Sequence, residues 1–346
     1  MFYSIKNRLD KGLRSFLTTL ERKYTLASIS PLLSKSIKDF VLRKGKRIRP
    51  ILFTAGYLGF CKKPKPGLNQ SALSIELLHD FMLIHDDIID KSDTRRGKPS
   101  MHVLLNRHLK NRKGIKFNGQ DLSIVVGDVI YAMAIEAFLS IQEEPRRKEK
   151  ALRRFIQAAV FTGAGEFIEL INGAKKLEKL TLEKIYKIYD YKTSYYTFAT
   201  PLASGAILAG APDREVERLS EFGMLLGRAF QIKDDILGMF GDEKKIGKST
   251  LTDLQEGKKT YIIWHAFSRA KAAEKRYLKS VLTKKKVTRK DLLRVQTIAR
   301  ASGTLDSAAQ KIQQLVNQAD KLLRSSSMRP HYRKMLSTYS QKLLSA

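Results

Sequence analysis

Apolar residues recur every three or four positions along most of this sequence, and this spacing restricts the possible fold more than any other feature. The segment 213–240 carries them on one stripe: Val216, Leu219, Phe222, Leu226, Phe230 and Leu237. Few segments alternate apolar and polar residues for more than five positions, which argues against strands. We find no internal repeat and no linker rich in Pro, Gly or Ser. The sequence therefore predicts an all-α fold in a single domain over residues 1–346.

The composition adds a strong positive charge to this helical pattern. Lys and Arg number 65 against 34 Asp and Glu, for a net charge of +31, and 43% of the residues are hydrophobic, enough to fill a large core. Anionic partners are expected: nucleic acid, acidic lipid or phosphorylated small molecules. The single cysteine, Cys61, excludes a disulfide framework and a multi-cysteine metal site within one chain.

The N-terminus reaches charged residues within six positions, so no signal peptide is expected. Asp128 and Glu136 interrupt the apolar stretch 124–138, and no segment is expected to contain the roughly 18 to 20 apolar residues that span a bilayer. We therefore expect a soluble, cytoplasmic protein.

A group of three aspartates ends the apolar segment 71–90. Asp86, Asp87 and Asp90 share one helix face, because residues three and four positions apart are neighbours on a helix. Carboxylates at the carboxyl end of a buried helix oppose its dipole and need a compensating cation. Hard oxygen ligands without His or Cys at ligand spacing suit Mg²⁺. The alternative is an acidic helix end that faces solvent.

Cations follow each of two acidic groups. Arg95 and Arg96 precede Gly97 on an expected turn, and a guanidinium group can bind phosphate oxygens bidentately. A second acidic pair, Asp234 and Asp235, is followed by three further charged residues: Asp242, Lys248 and Lys258. We expect the two acidic groups to be opposing walls of one site that holds a polyanion through metal ions.

A third basic group lies in the sequence GKRIRP. Pro50 is expected to open a helix, which would place Lys46 and Arg49 at a helix N-terminus, where phosphate is favoured. A solvated basic patch is the alternative.

Taken in order, these motifs resemble the trans-prenyl diphosphate synthases, which include farnesyl and geranylgeranyl diphosphate synthases. The resemblance extends over nearly the whole chain and rests on these segments: GKRIRP, HDFMLIHDDIIDKSDTRRG, VVGDVIYA, YKTSYYTFATPL, FQIKDDILGMFGDEKKIGKSTLTDLQEGKKT and SGTLDSAAQKIQQL. It implies a helical bundle around a central cavity, Mg²⁺ as cofactor, and condensation of isopentenyl diphosphate with an allylic diphosphate. A homodimer is expected by the same analogy.

The resemblance also implies residue roles. About three Mg²⁺ ions would be held by the two aspartate motifs: Asp86, Asp87, Asp90, Asp234 and Asp235. The allylic diphosphate would also contact Arg95, Lys192, Thr193, Gln231, Lys248 and Lys258, and isopentenyl diphosphate would be bound by Lys46, Arg49, His79 and Arg96. Many relatives have a third aspartate where this chain has Gly238, and Gln and Asp where it has Glu166 and Glu169, so these two glutamates are given an accessory role.

Product length is expected to depend on the residues one helical turn before Asp86. Phe81 and Met82 occupy those positions, and an aromatic residue five places before the motif resembles synthases that make a C20 product. Geranylgeranyl diphosphate is therefore the expected product, with farnesyl or longer products as alternatives. Plain core packing is the other interpretation of these two side chains.

Other classes of protein share some of these features. The pairs His79-Asp80 and His85-Asp86 are shared with HD-type metal phosphohydrolases, but the other four histidines lack matching spacing. A non-catalytic subunit of a heteromeric synthase would not need intact aspartate motifs. A nucleic-acid-binding protein would leave the acidic groups unexplained. The proposed site cations account for little of the charge of +31, so peripheral contact with an anionic membrane, or a generally basic proteome, is the remaining hypothesis for the surface.

Overall fold

Helices form nearly all the regular structure in the computed structural model, which describes residues 2–243 and 249–344. The first helices are α1 (Phe2–Lys23), α2 (Leu26–Ile29), α3 (Pro31–Val41), α4 (Ile48–Leu58) and α5 (Leu68–Ile89). Strands β1 (Thr94–Arg95) and β2 (Lys98–Pro99) precede α6 (Met101–Leu109), α7 (Gly119–Leu139) and α8 (Pro145–Gly173). A 3₁₀ turn (Leu177–Lys179), α9 (Leu182–Tyr189), a π-helix (Asp190–Ala199) and α10 (Thr200–Leu208) follow. The remainder is α11 (Asp213–Phe240), α12 (Thr252–Gln255), α13 (Tyr261–Arg269), α14 (Ala272–Val281), α15 (Arg289–Ala301), α16 (Thr304–Arg324) and α17 (Pro330–Gln341). The all-α prediction is confirmed.

Two compact units divide the chain. Unit 1 comprises Met1–Arg153 and Ser204–Ala211, and unit 2 comprises Arg154–Ala203 and Pro212–Ala346. The single domain of the sequence analysis stays a prediction.

Helix α5 lies at the centre of unit 1. It packs against α1, α4, α6 and α7, and every side chain from Ser71 to Leu78 is buried, which covers all sides of the helix. A helix that is apolar on every side must be enclosed by others, and this is why the segment carries almost no polar surface before its acidic end. The burial of α5 fixes the place of the aspartates at its carboxyl end.

Helix α7 corrects one expectation from the sequence. By length and composition alone it could cross a membrane, although it contains Asp128 and Glu136. Asp128 is exposed but lies 3.8 Å from His85 Nε2 on α5, and Glu136 accepts hydrogen bonds from Lys23 and Tyr24. The helix packs against α5 and α6. One such helix is weak support for a membrane span, because a core helix has the same composition.

Unit 2 is organised around α11, whose limits match the apolar stripe predicted for 213–240. It packs against α16 and against the π-helix. The π-helix approaches closely because α11 presents glycine at that contact: a Cβ on Gly227 would lie 2.5 Å from Ser194 Cα, and one on Gly223 would lie 2.5 Å from Ala199 Cα. π-helices are rare and often found at functional sites.

Candidate active site

The first aspartate group lies at the carboxyl end of α5, as predicted. Asp86 and Asp87 belong to the last turn of α5, and Asp90 follows its last residue, with its N–H donating to the Asp86 carbonyl at 2.8 Å. The Asp87 side chain has no solvent exposure. Burial raises the pKa of Asp87 to about 6, a shift that Asp86 and Asp90 increase and that Arg95 opposes.

Arg95 supplies the positive charge that the helix end requires. Its Nε donates to Asp87 Oδ1 at 2.8 Å, its Nη2 donates to the same oxygen, and Nη2 lies 3.6 Å from Asp86 Oδ2. Charge-assisted hydrogen bonds of this kind offset the loss of hydration of a buried carboxylate.

One carboxylate oxygen of Asp87 is available to a further ligand. Asp87 Oδ2 is buried and accepts no hydrogen bond from the described residues. Within 2–243 and 249–344, no three acidic, His or Cys side chains converge closely enough to bind a metal ion by themselves. Mg²⁺ does not require such a cage, because it usually takes one or two carboxylates and completes its shell with water and phosphate. The aspartates of α5 therefore fit Mg²⁺.

The two arginines that follow α5 lie on a short antiparallel hairpin. Thr94 pairs with Pro99 and Arg95 pairs with Lys98, which leaves Arg96 and Gly97 as a two-residue turn. Both turn residues have positive φ, 55° and 72°, as a type I′ turn demands. A non-glycine residue pays a steric cost in this region, so Arg96 is held by contacts elsewhere.

Arg96 is held by two buried acids on α5. Its Nη2 lies 3.1 Å from Asp80 Oδ1 and 3.7 Å from Glu76 Oε1. Burial raises the pKa of Asp80 to about 7, although Arg96 lowers it and Glu76 raises it further. Arg96 Nη1 is buried and has no hydrogen-bond acceptor among the described residues. It is therefore a donor still available to an anion.

The basic segment GKRIRP begins α4, with one correction. The helix starts at Ile48, so Pro50 is its third residue rather than its first. A proline is still tolerated there, because N–H groups of the first turn have no partner within the helix. Lys46 precedes the helix and Arg49 lies in its first turn, so both are at the N-terminus, as expected.

Arg47, which lies between Lys46 and Arg49, forms buried ion pairs that were not predicted from the sequence. It is 3% exposed, and it donates to Glu76 Oε1 at 2.8 Å and to Asp10 Oδ1 at 2.9 Å. Glu76 thus contacts both Arg47 and Arg96. One signal was present: Glu76 and Asp80 are acids inside an apolar helix, and buried acids need cationic partners.

Burial and the nearby Arg49, Arg96, Arg95 and Arg47 lower the pKa of His79 well below its ordinary value, so this imidazole is neutral at pH 7.

The second aspartate pair lies on α11 in unit 2. Asp235 is buried and accepts hydrogen bonds from Tyr189 Oη, from Gln231 Nε2 at 3.2 Å and from the Tyr261 N–H at 3.2 Å. Burial raises its pKa to about 8, although the bonds from Tyr189 and Gln231 lower it. Asp234 is its neighbour on α11 and is partly exposed. Tyr189 and Tyr261 were not identified from the sequence, since nothing local links them to Asp235.

The π-helix carries Lys192 and Thr193 next to α8 and α11. Lys192 Nζ lies 2.5 Å from both Glu166 Oε2 and Glu169 Oε2. Thr193 Oγ1 donates to Gln231 Oε1 at 2.9 Å, and Gln231 in turn donates to Asp235. Four residues predicted from the resemblance are thus joined to one another or to the two glutamates. Both glutamates thus hold the Lys192 ammonium group, and their accessory role stays a prediction.

The last two predicted cations follow the second aspartate pair along the chain. Lys258 Nζ lies 2.5 Å from Glu256 Oε2, its ion pair on the segment after α12. Lys248 lies outside the described residues.

The predicted product-length residues lie one turn before the aspartates. The Phe81 ring is 4.6 Å from the His85 ring and 5.1 Å from the Tyr131 ring on α7, measured between centroids. Met82 is beside it and partly exposed. Tyr131 was not singled out from the sequence, because its contact with Phe81 joins two helices.

The chain resembles known proteins in sequence and in fold. The profile of the polyprenyl synthetase family matches residues 30–299. The chain is 33% identical over 258 residues to the geranylgeranyl diphosphate synthase of Saccharolobus solfataricus, covering 74% of this chain and 73% of that one. It is 32% identical over 302 residues to the geranylfarnesyl diphosphate synthase of Aeropyrum pernix, covering 86% and 88%.

A solved structure has the same overall fold. The geranylgeranyl pyrophosphate synthase from Corynebacterium glutamicum, crystallised with isoprenyl diphosphate and magnesium, is 27% identical and superposes with a TM-score of 0.89 over 98% of both chains.

Proposed function

The chain belongs to the polyprenyl synthetase family, and we propose that this chain-elongating prenyltransferase makes geranylgeranyl diphosphate from isopentenyl diphosphate and an allylic diphosphate. The main support for the proposed site is the Arg95–Asp87 pair, in which a buried carboxylate keeps one oxygen without a partner among the described residues. Alternative products of the same reaction are farnesyl and longer diphosphates, since relatives of different product length have similar identity.

In unit 1, Asp86, Asp87 and Asp90 would hold Mg²⁺, and Arg95 would bind an oxygen of the allylic diphosphate. Lys46, Arg49, His79 and Arg96 would bind isopentenyl diphosphate. The buried Nη1 of Arg96 supports this role, because a phosphate oxygen would supply its missing acceptor. A neutral His79 would donate a hydrogen bond without adding charge.

In unit 2, Asp234 and Asp235 would hold Mg²⁺, and Tyr189 and Gln231 keep the Asp235 carboxylate in place. Lys192, Thr193, Gln231, Lys248 and Lys258 would contact the allylic diphosphate. About three Mg²⁺ ions are proposed in all. When bound, they would stabilise the negative charge that develops on the leaving diphosphate.

The reaction would then proceed without a side-chain nucleophile. The allylic C–O bond breaks and its electrons leave with the diphosphate, whose charge the cations Arg95 and Lys192 stabilise. The double bond of isopentenyl diphosphate attacks the resulting cation, and a new C–C bond forms between substrates held in position. A proton is then lost to the departing pyrophosphate, which leaves a chain five carbons longer.

The reaction can be tested with labelled isopentenyl diphosphate and each of the C5, C10 and C15 primers, followed by chain-length analysis. We expect Mg²⁺-dependent incorporation that requires both substrates and ends at C20. Pyrophosphate release from the allylic substrate alone would contradict the prenyltransferase and favour a hydrolase. A main product shorter or longer than C20 would overturn only the product.

We further propose a homodimer formed through α8. Apolar side chains along one face of this helix are exposed, among them Val160 at 62%, Phe167 at 65% and Leu170 at 51%. A continuous exposed apolar face is typical of a protein interface. Sedimentation should give twice the chain mass, and Phe167→Glu should shift it toward the monomer, whereas Glu149→Lys on the charged first turns of α8 should not.

We also propose a cytoplasmic location, and the excess surface charge supports peripheral contact with an anionic membrane. Basic residues outside the site are numerous, as in 145–154 and 283–290, and each is worth about 1 kcal/mol near an anionic surface. Flotation with acidic and neutral liposomes should show binding to the acidic ones alone; equal or absent binding would contradict the membrane contact.

A further inference from the structure

The hairpin that carries Arg95 and Arg96 is attached to α3 through one carboxylate, that of Asp39. Lys98 Nζ donates to Asp39 Oδ1 at 2.9 Å, and Arg43 Nη2 donates to Asp39 Oδ2 at 2.8 Å. Arg43 also donates from Nη1 to the backbone carbonyl of Arg95 at 3.2 Å. Both strands of the hairpin are thus bound to α3 or to Arg43, two residues beyond its end, and we call Asp39, Arg43 and Lys98 the hairpin clamp.

The clamp is held in one geometry. Arg43 is 4% exposed, and its guanidinium lies 4.8 Å from the centre of the Phe40 ring. Burial raises the pKa of Asp39, but the bonds from Arg43 and Lys98 outweigh it and leave this pKa below the ordinary value, so Asp39 is ionised at neutral pH. The planar guanidinium of Arg43 bonds in two directions at once, to a carboxylate and to a carbonyl, which a lysine cannot reproduce.

The hairpin needs such external contacts. It has two residues in each strand and a turn with a non-glycine residue at φ 55°, and a two-stranded hairpin is at best marginally stable alone. Helix α5 contributes through the side chains of Arg95 and Arg96. In the proposed function those same side chains also bind the diphosphates. The clamp instead uses the Arg95 backbone and the Lys98 side chain, so it does not compete with substrate for the Arg95 guanidinium.

We propose that Asp39 and Arg43 are positioning residues that hold Arg95 in place for the allylic diphosphate. The inference rests on the proposed role of Arg95. It predicts a loss of substrate affinity when the clamp is broken, because a mobile Arg95 must be ordered by the substrate itself.

Asp39→Asn breaks both ion pairs with almost no change of shape. Glu21→Gln is the matched control: Glu21 forms an ion pair with Lys38 on the same helix α3 and does not touch the hairpin. We expect Asp39→Asn to raise KM for the allylic substrate roughly tenfold with kcat within about twofold, and Glu21→Gln to leave both near wild type. A KM unchanged by Asp39→Asn would overturn the proposal.

A double variant tests whether Asp39 acts through Arg95. If it does, Asp39→Asn should add little to the KM effect of Arg95→Lys, because the geometry it protects is already lost. Effects that multiply fully would mean that Asp39 acts independently of Arg95, and the proposal would fail.

Hydrogen exchange tests the clamp without reference to the reaction. In Asp39→Asn, amides of the peptide 92–100 should exchange at least about tenfold faster than in Glu21→Gln, with α5 amides unchanged in both. Unchanged exchange in 92–100 would overturn the clamp itself. Faster exchange in a chain that does not elongate any primer would leave the clamp standing and reject the proposed function instead.

Discussion

Arg95 donates two hydrogen bonds to one oxygen of Asp87, a side chain without solvent exposure. The buried carboxylate and the guanidinium therefore depend on each other. The second carboxylate oxygen accepts no hydrogen bond from the described residues and is available to a metal ion. The contact thus joins Asp87, the proposed metal ligand, to Arg95, which is proposed to bind the diphosphate. It can be tested by substitution of either residue.

Arg95→Lys should weaken binding of the allylic diphosphate. Lysine keeps the charge but cannot donate two bonds in the plane of a carboxylate or phosphate. We expect KM to rise roughly tenfold or more, measured by initial rates at saturating isopentenyl diphosphate. Arg112→Lys, at an exposed arginine, is the control. An Arg95→Lys enzyme with wild-type KM would contradict the role given to the guanidinium.

Phe81→Ala should lengthen the product. The ring packs against His85 and Tyr131, so its removal opens space below the aspartates for a longer chain. Chromatography of the products should show material beyond C20. Tyr131→Phe keeps the ring contact and should leave the length unchanged. The same product from Phe81→Ala and wild type would mean that Phe81 is only a core residue.

In the Asp80→Asn variant, the free energy of unfolding should fall less than in wild type as the pH rises. Folding raises the pKa of Asp80 to about 7, so the native state holds this proton more tightly than the unfolded chain. The resulting stabilisation is complete below the unfolded pKa and is lost as the pH rises through about 7. We expect the fall in the free energy of unfolding from pH 5 to 8 to shrink by roughly 1–3 kcal/mol in the variant. Urea titrations at several pH values measure it.

Asp128→Asn, at an exposed aspartate on α7, should leave that pH dependence as it is in wild type. If the free energy of unfolding varied with pH equally in wild type and Asp80→Asn, Asp80 would be ionised in the folded protein over this range.

Gly227→Ala should destabilise unit 2, because the added methyl group would lie 2.5 Å from Ser194 Cα and would push the π-helix from α11. Overpacking of this kind costs roughly 1–3 kcal/mol, measurable by urea unfolding. Gly163→Ala on α8 is the matched control, since a Cβ there meets no atom within 4 Å. It should stabilise by up to about 1 kcal/mol. Equal effects would argue against the close contact.

Much of the fold followed from periodicity and end signals in the sequence. Helix α11 was predicted to its limits, because the apolar stripe lies between Pro212 and Gly241. The need for a cation at the acidic end of α5 was also predictable, since three carboxylates at the negative end of a dipole cannot stand alone. Arg95 fills that need.

The partners of buried charges were not predictable in the same way. Arg47 donates hydrogen bonds to Glu76 and Asp10, and Asp235 accepts one from Tyr189. Each pair is far apart in the sequence. Periodicity places a residue on a face of its own helix, but it does not say which other helix meets that face. The apolar length of α7 was underestimated, because the helix remains apolar enough on average to cross a membrane by composition even with two acids in it.

The two-residue turn at Arg96 and Gly97 limits how this protein can be re-engineered. Neighbouring residues of a strand face opposite sides, so one inserted residue would turn either Arg95 or Lys98 to the wrong face of the hairpin. Spacing here is therefore as restricted as residue identity. Tags, fused domains or circular permutation sites belong instead in the stretch 111–118, where every residue is exposed.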